Sequence, residues 1–142
     1  MINELLKYPE DSAGGVMTTE FMELSPDWTV RRAMEEIRKN GIDKETINNC
    51  YVTGPNRTLE GVVSLRALVL EKNEDRPVRE LMEPGVISVH TATDREETSQ
   101  MFEKYGLLAI PVVDNEQRLV GIVTVDDAIS ILQDEADEDF AR

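Results

Sequence analysis

The chain repeats itself. Residues 17–41 align without gaps with residues 82–106 at an offset of 65. Farther along, Tyr51-Val52-Thr53 matches Pro111-Val112-Val113, and residues 59–64 match residues 119–124, both at an offset of 60. The offset changes because the first copy carries five extra residues within 42–49, a stretch that reads as a polar loop. Such a repeat constrains the fold more than any single motif, because a small unit exposing one sheet face needs a second one to cover it. The expected fold is therefore α/β, two tandem β-α-β-β-α repeats with pseudo-twofold symmetry.

Local signals fill in each copy. Short apolar strands are expected at 21–24 and 86–89. Val30, Ala33, Met34 and Ile37 fall at helical spacing and give one apolar face. Thr93 with Glu96 three residues on reads as a capping box that starts the second copy's helix. Gly41 and Gly106 suit left-handed positions after a helix end. The stretches 54–57 and 114–117 are turn chemistry between apolar runs. The last helix of each copy starts near Ser64 and Thr124, the second with an apolar stripe through Val125, Ala128, Ile129, Leu132 and Ala136. Residues 74–77 read as the link between copies, and 1–16 as a leader.

Composition narrows the function classes. At 142 residues, 40% hydrophobic and 31% charged, the chain can bury a core in one domain or two small halves. No run approaches the roughly 18 apolar residues of a membrane span, and the first residues have no signal-peptide pattern. Cys50 is the lone cysteine and reads as core packing. His90 is the lone histidine and reads as a surface residue. Multi-histidine metal sites and thiolate clusters are therefore excluded, and no catalytic set emerges. Trp28 reads as a packing anchor, and the methionines as core or interface filler. Ala13-Gly14-Gly15 lacks the lysine and the strand of a phosphate loop. The expectation is a protein that is not an enzyme.

The formal net charge of −14 disfavours nucleic acid and anionic lipid as partners. From Asp126 onward there are seven carboxylates against one base, Arg142. Several share a helix side at i, i+3 or i+4 spacing, and those at the helix C-terminus oppose its dipole. Two readings stand: a solvated acidic helix end, or an arrangement relieved by an oxygen-liganded divalent cation, Mg²⁺ or Ca²⁺.

Residues 77–82 (Pro-Val-Arg-Glu-Leu-Met), 108–114 (Leu-Ala-Ile-Pro-Val-Val-Asp) and 121–127 (Gly-Ile-Val-Thr-Val-Asp-Asp) resemble those of CBS domains (cystathionine-β-synthase domains). The last is a complete G-h-h-[ST]-x-x-D signature; in the first copy Ser64 matches but Ala67 replaces the aspartate. Residues 8–18, 63–68 and 124–128, with the acidic exit 134–139, resemble the CBS pair of MgtE-type magnesium transporters. That resemblance implies CBS domains at 17–74 and 75–136, a leader at 1–16 from a preceding domain, and an acidic exit at 137–142 toward a membrane domain. It implies a homodimer that senses Mg²⁺ for a channel or transporter, cytoplasmic as this portion, its parent in the cell (inner) membrane. Asp127, Glu135, Glu138 and Asp139 match the family's Mg²⁺ carboxylates, while two further acidic positions fall on Ser130 and Gly106. The alternative it implies is an ATP or AMP sensor. There Thr124 faces phosphate, Asp127 holds ribose, and Ile87, Ala109, Ile110 and Pro111 wall adenine in the copy-two cleft. Family ATP is associated with the copy-one cleft, where Ala67 departs from the pattern.

Overall fold

A computed structural model of the protein describes residues 8–44 and 46–141, with side chains through residue 133. In chain order its elements are α1 (Ala13–Val16), β1 (Phe21–Leu24), α2 (Val30–Asn40), β2 (Thr46–Thr53), β3 (Leu59–Ser64), α3 (Leu65–Leu70), β4 (Val89–His90), α4 (Arg95–Tyr105), β5 (Ala109–Val113), β6 (Leu119–Thr124) and α5 (Val125–Ala141). They form two compact units. A first-repeat unit holds Glu20–Val86 with Glu116–Leu119; a second-repeat unit holds Met1–Thr19, Ile87–Asn115 and Val120–Arg142.

In the first-repeat unit the sheet order is β1-β2-β3, with β1 parallel to β2 and β2 antiparallel to β3. Leu24 sits opposite Val52, and Cys50 opposite Val63. Side chains alternate across a strand, so Cys50 and Val52 share one face and meet the apolar stripe of α2. Val30, Ala33 and Ile37 are buried there, and Met34 packs alongside. The Thr29 hydroxyl caps α2 by accepting the Arg32 N–H at 3.1 Å. Two expectations fail at the far end of this helix. Gly41 is right-handed (φ −67°), and the chain runs on into a 3₁₀ turn at Gly41–Asp43. Strand β2 begins at Thr46, within the stretch read as a loop.

In the second-repeat unit the order is β4-β5-β6. The first strand is shorter and later than its apolar run suggests: only Val89 and His90 pair with β5, opposite Val112 and Val113. Asp94, not Thr93, caps α4. Its carboxylate accepts the N–H groups of Glu96 and Glu97 at 3.0 and 3.4 Å, while the Thr93 hydroxyl turns back to accept the His90 N–H at 3.0 Å. Gly106 is left-handed (φ +63°) and donates to the Phe102 carbonyl at 2.8 Å, closing α4 as expected. Phe102, Ile110, Val112, Val123 and Ala128 build the core. On α5 Ala128 is buried and Val125 packs against the core as the stripe read in sequence requires, but Ile131, 5% exposed, takes the inward place expected of Ile129, which is 51% exposed.

The repeat reaches farther back than its sequence similarity does. Ser12 bridges Asp94 as Pro77 bridges Thr29, and Thr18 bridges Ile122 as Glu83 bridges Val62. Ala13 and Val78, also 65 apart, are each fully buried in their own unit's core. Residues 12–18 therefore complete the second-repeat unit just as residues 77–83 complete the first.

Candidate ligand-binding site

The signature motif of the second copy folds into a strand-to-helix corner. Strand β6 ends at Thr124, and α5 starts on the next residue, its first N–H donating to the Leu108 carbonyl at 2.9 Å. The buried Thr124 hydroxyl accepts the Asp127 N–H at 3.3 Å and donates to the Asp127 carboxylate at 3.0 Å. The local sequence dictates this: a hydroxyl before a helix satisfies an orphan N–H, and Asp126 and Asp127 in the first turn suit the positive end of the dipole. At the matching corner the Ser64 hydroxyl accepts the Ala67 N–H at 3.0 Å. The cap is the same; the carboxylate is not.

The other residues expected at a nucleotide site divide. Ala109, Ile110 and Pro111 lie buried on β5. Ile110 belongs to the core around Phe102 and Ala128, and strand alternation puts Ala109 and Pro111 on the opposite face. Ile87 is half-buried and precedes β4. Of the four expected cation ligands, Asp127 is described. The side chains of Glu135, Glu138 and Asp139 lie outside the described residues. Among the described residues no three His, Cys, Asp or Glu side chains converge as a metal group.

The remaining candidates are held by ordinary packing. The His90 Nδ1 accepts the Ala92 N–H at 2.9 Å, and its Nε2 meets the Asn115 side-chain oxygen. Cys50 is fully buried, and burial pushes its thiol up to about 12. Trp28 packs against the first-repeat core with the Arg32 guanidinium 4.6 Å from its ring centroid. Sequence reading missed the part played by Asp11-Ser12-Ala13-Gly14-Gly15. The clue was there: extending the offset of 65 backward pairs Ser12 with Pro77 and Ala13 with Val78.

In the second-repeat unit Tyr105, Leu108 and Ile129 are exposed, beside a shallow groove lined by Gln100, Glu103, Lys104 and Leu132. In the first-repeat unit Ile42, Val69 and Leu70 are exposed. No helix among the described residues is long and apolar enough to cross a membrane.

A chain of two β-α-β-β-α units, each with its hydroxyl-capped corner, matches the CBS domain family at residues 13–73 and 78–134, and it belongs to that family. Among its relatives are magnesium transporters. The magnesium transporter MgtE of Thermus thermophilus is 43% identical over 141 residues, 99% of this chain and 31% of that protein. The chain thus spans about a third of the curated relatives it matches. The crystal structure of the soluble part of a magnesium transporter superposes with a TM-score of 0.91 at 41% identity, covering 95% of this chain and 52% of that one. The cytosolic domain of the Mg²⁺ channel MgtE in complex with ATP superposes at 0.86 with 42% identity, covering 89% of this chain and 51% of that one.

Proposed function

We propose that this CBS pair is the cytoplasmic regulatory module of a magnesium channel or transporter and senses Mg²⁺ as a homodimer. The observation that carries the reading is identity of 43% across 99% of the chain with a magnesium transporter, in a protein whose acid is concentrated at one end. The donor chemistry fits. Carboxylate oxygens are the ligands Mg²⁺ takes, and because the ion keeps several waters, single carboxylates from separate places suffice. Asp127, Glu135, Glu138 and Asp139 are the proposed ligands. With the cation bound, carboxylates that repel each other are bridged and the compact state is favoured; without it that state opens. This is linkage, and the ion must bind the compact state more tightly. A shift from 1:99 to 99:1 needs about 5.5 kcal/mol of differential affinity, which several weak sites can share. The exposed Tyr105, Leu108 and Ile129 support a face for the second copy. The parent membrane domain is the partner that receives the change.

The ATP complex of a 42% identical relative supports a second reading, an adenine-nucleotide sensor centred on Thr124 and Asp127. Isothermal titration separates the two. Saturable heat with MgCl₂ and none with ATP or AMP supports the cation reading. Saturable heat with nucleotide, abolished by Asp127→Ala, and none with MgCl₂ replaces it with the second.

A further inference from the structure

We infer that residues 8–18 are a detachable strap, seated on the second-repeat unit, whose occupancy controls the order of the α4 start and the β6 edge. The seat is built from backbone. The Ala13 and Gly14 N–H groups donate to the carbonyls of Thr93 and Thr91 at 2.7 and 2.9 Å, and the Arg95 N–H donates back to the Asp11 carbonyl at 2.7 Å. At the other end, Thr18 and Ile122 exchange N–H···O bonds at 2.8 and 2.9 Å, so the strap adds to the free edge of β6. When it leaves, the Arg95 and Ile122 N–H groups lose these carbonyl acceptors.

Two glycines show how close the seating is. A Cβ on Gly15 would lie 2.2 Å from the Pro9 carbonyl oxygen. A Cβ on Gly121 would lie 2.5 Å from the Met17 sulfur and 2.9 Å from the Thr18 carbonyl oxygen. Bare backbone lets the chain double back at Pro9 and lets Met17 drop over β6.

The strap is anchored at separate points, with exposed chain between them. Ser12, Ala13, Gly14 and Met17 are buried, with Tyr8 and Val16 packed against the second-repeat core, while Pro9, Glu10, Asp11 and Gly15 are exposed. A four-residue helix does not persist without its seat. A segment this short, held by backbone bonds and a handful of side chains at one end of its unit, opens locally, below the cost of global unfolding. The chain is thereby tied to the second repeat at Tyr8, a point that precedes the first repeat in sequence. A pull or a binding event there is felt first at Asp94-Arg95 and at Ile122. This inference does not depend on the cation reading.

Hydrogen exchange on the full chain carrying Gly15→Ala tests it. The expected result is at least ten-fold faster exchange at the amides of Ala13, Gly14, Thr18, Arg95 and Ile122, with Val62, Val78 and Glu83 of the first-repeat unit unchanged. Equal acceleration in both units, or no acceleration at Arg95 and Ile122, overturns the strap. A second measurement needs no substitution. In the unaltered chain these five amides exchange as one group, faster than those of Ile110 and Val112; exchange together with those core amides also overturns it.

Discussion

Of the formal charge of −14, the second-repeat unit carries −11, from 15 acidic and 4 basic residues, and the first-repeat unit −3, from 14 and 11. The first-repeat unit spends its bases on its own carboxylates. Arg31 bonds Asp75 at 2.6 Å and reaches Glu74 at 3.4 Å; Arg76 joins Glu71 and Glu80 at 2.8 and 2.9 Å; Arg79 pairs with Asp27. The Asp75 and Glu80 carboxylates raise the Arg31 and Arg76 guanidinium groups above their usual range. Such exposed pairs are individually weak. Together with Val30 and Arg31 N–H bonds to the carbonyls of Arg76 and Glu74, they pin the 74–77 link along the start of α2. The second-repeat unit has nearly the same number of carboxylates and too few bases to answer them. Two units of like fold thus differ in charge balance: one answers its carboxylates from within, and the other carries a large excess of them.

The strongest way to break this comparison is to damage one core and watch both units. Phe102→Ala removes a buried ring from the second-repeat core and is expected to cost about 3–5 kcal/mol in urea titration. Exchange protection should fall first over β4, α4 and β5; simultaneous collapse of β2 and β3 would mean the cores are not separate. The equivalent helix caps sharpen the comparison at a smaller scale. Thr29→Ala and Asp94→Ala should each cost about 1 kcal/mol by thermal melting. Salt should shrink the Asp94 effect more, since its cap adds a charge–dipole attraction that ions screen.

Titration of single groups gives effects confined to the ends of the pH range. The Asn73 N–H and then Arg76 hold the Glu71 carboxyl below its ordinary 4.5. Its contribution is fully present above that value and is lost as pH falls through the lowered folded-state one. Glu71→Gln should therefore flatten the acid limb of the first-repeat unit and leave that of the second unchanged, read by exchange between pH 3 and 6. At the alkaline end the buried Cys50 thiol works the other way. Stability falls as pH rises above 9.0, where the unfolded thiol ionises while the folded one, held near 12, does not. Cys50→Ser should remove the part of that slope that begins at 9.0 and leave the part that begins at 10.0, which belongs to the Tyr51 phenol, also pushed up by burial.

Much of the fold was legible because the repeat signals are non-local and redundant. Val30, Ala33 and Ile37 declare a face that nothing contradicts, and Gly106 closes α4 as its type suggests. What failed was local competition. Thr93 and Asp94 both suit an N-cap; Asp94 wins because its carboxylate satisfies two N–H groups while Thr93 is recruited by His90. Gly41 permits a left-handed stop but does not require one, and the chain tightens into a 3₁₀ turn. On α5, Ile129 and Ile131 are alike in hydropathy, and only packing decides that Ile131 goes inward. For the strap, the offset of 65 carried back to Ser12 and Ala13 hinted at its place, but its pairings are backbone bonds to residues far along the chain, which side-chain patterns do not report. Within the site, the Thr124–Asp127 pair followed from the motif, whereas Ile110, equally apolar, is committed to the core on the other face of β5.

The most direct measurement is small-angle scattering during a MgCl₂ titration, matched by NaCl at equal ionic strength, on the chain and on its Glu135→Gln, Glu138→Gln, Asp139→Asn triple variant. The account predicts a saturable fall in radius of gyration with MgCl₂, little with NaCl, and its loss in the variant. Equal compaction by NaCl, or an unchanged magnesium response in the variant, would contradict it.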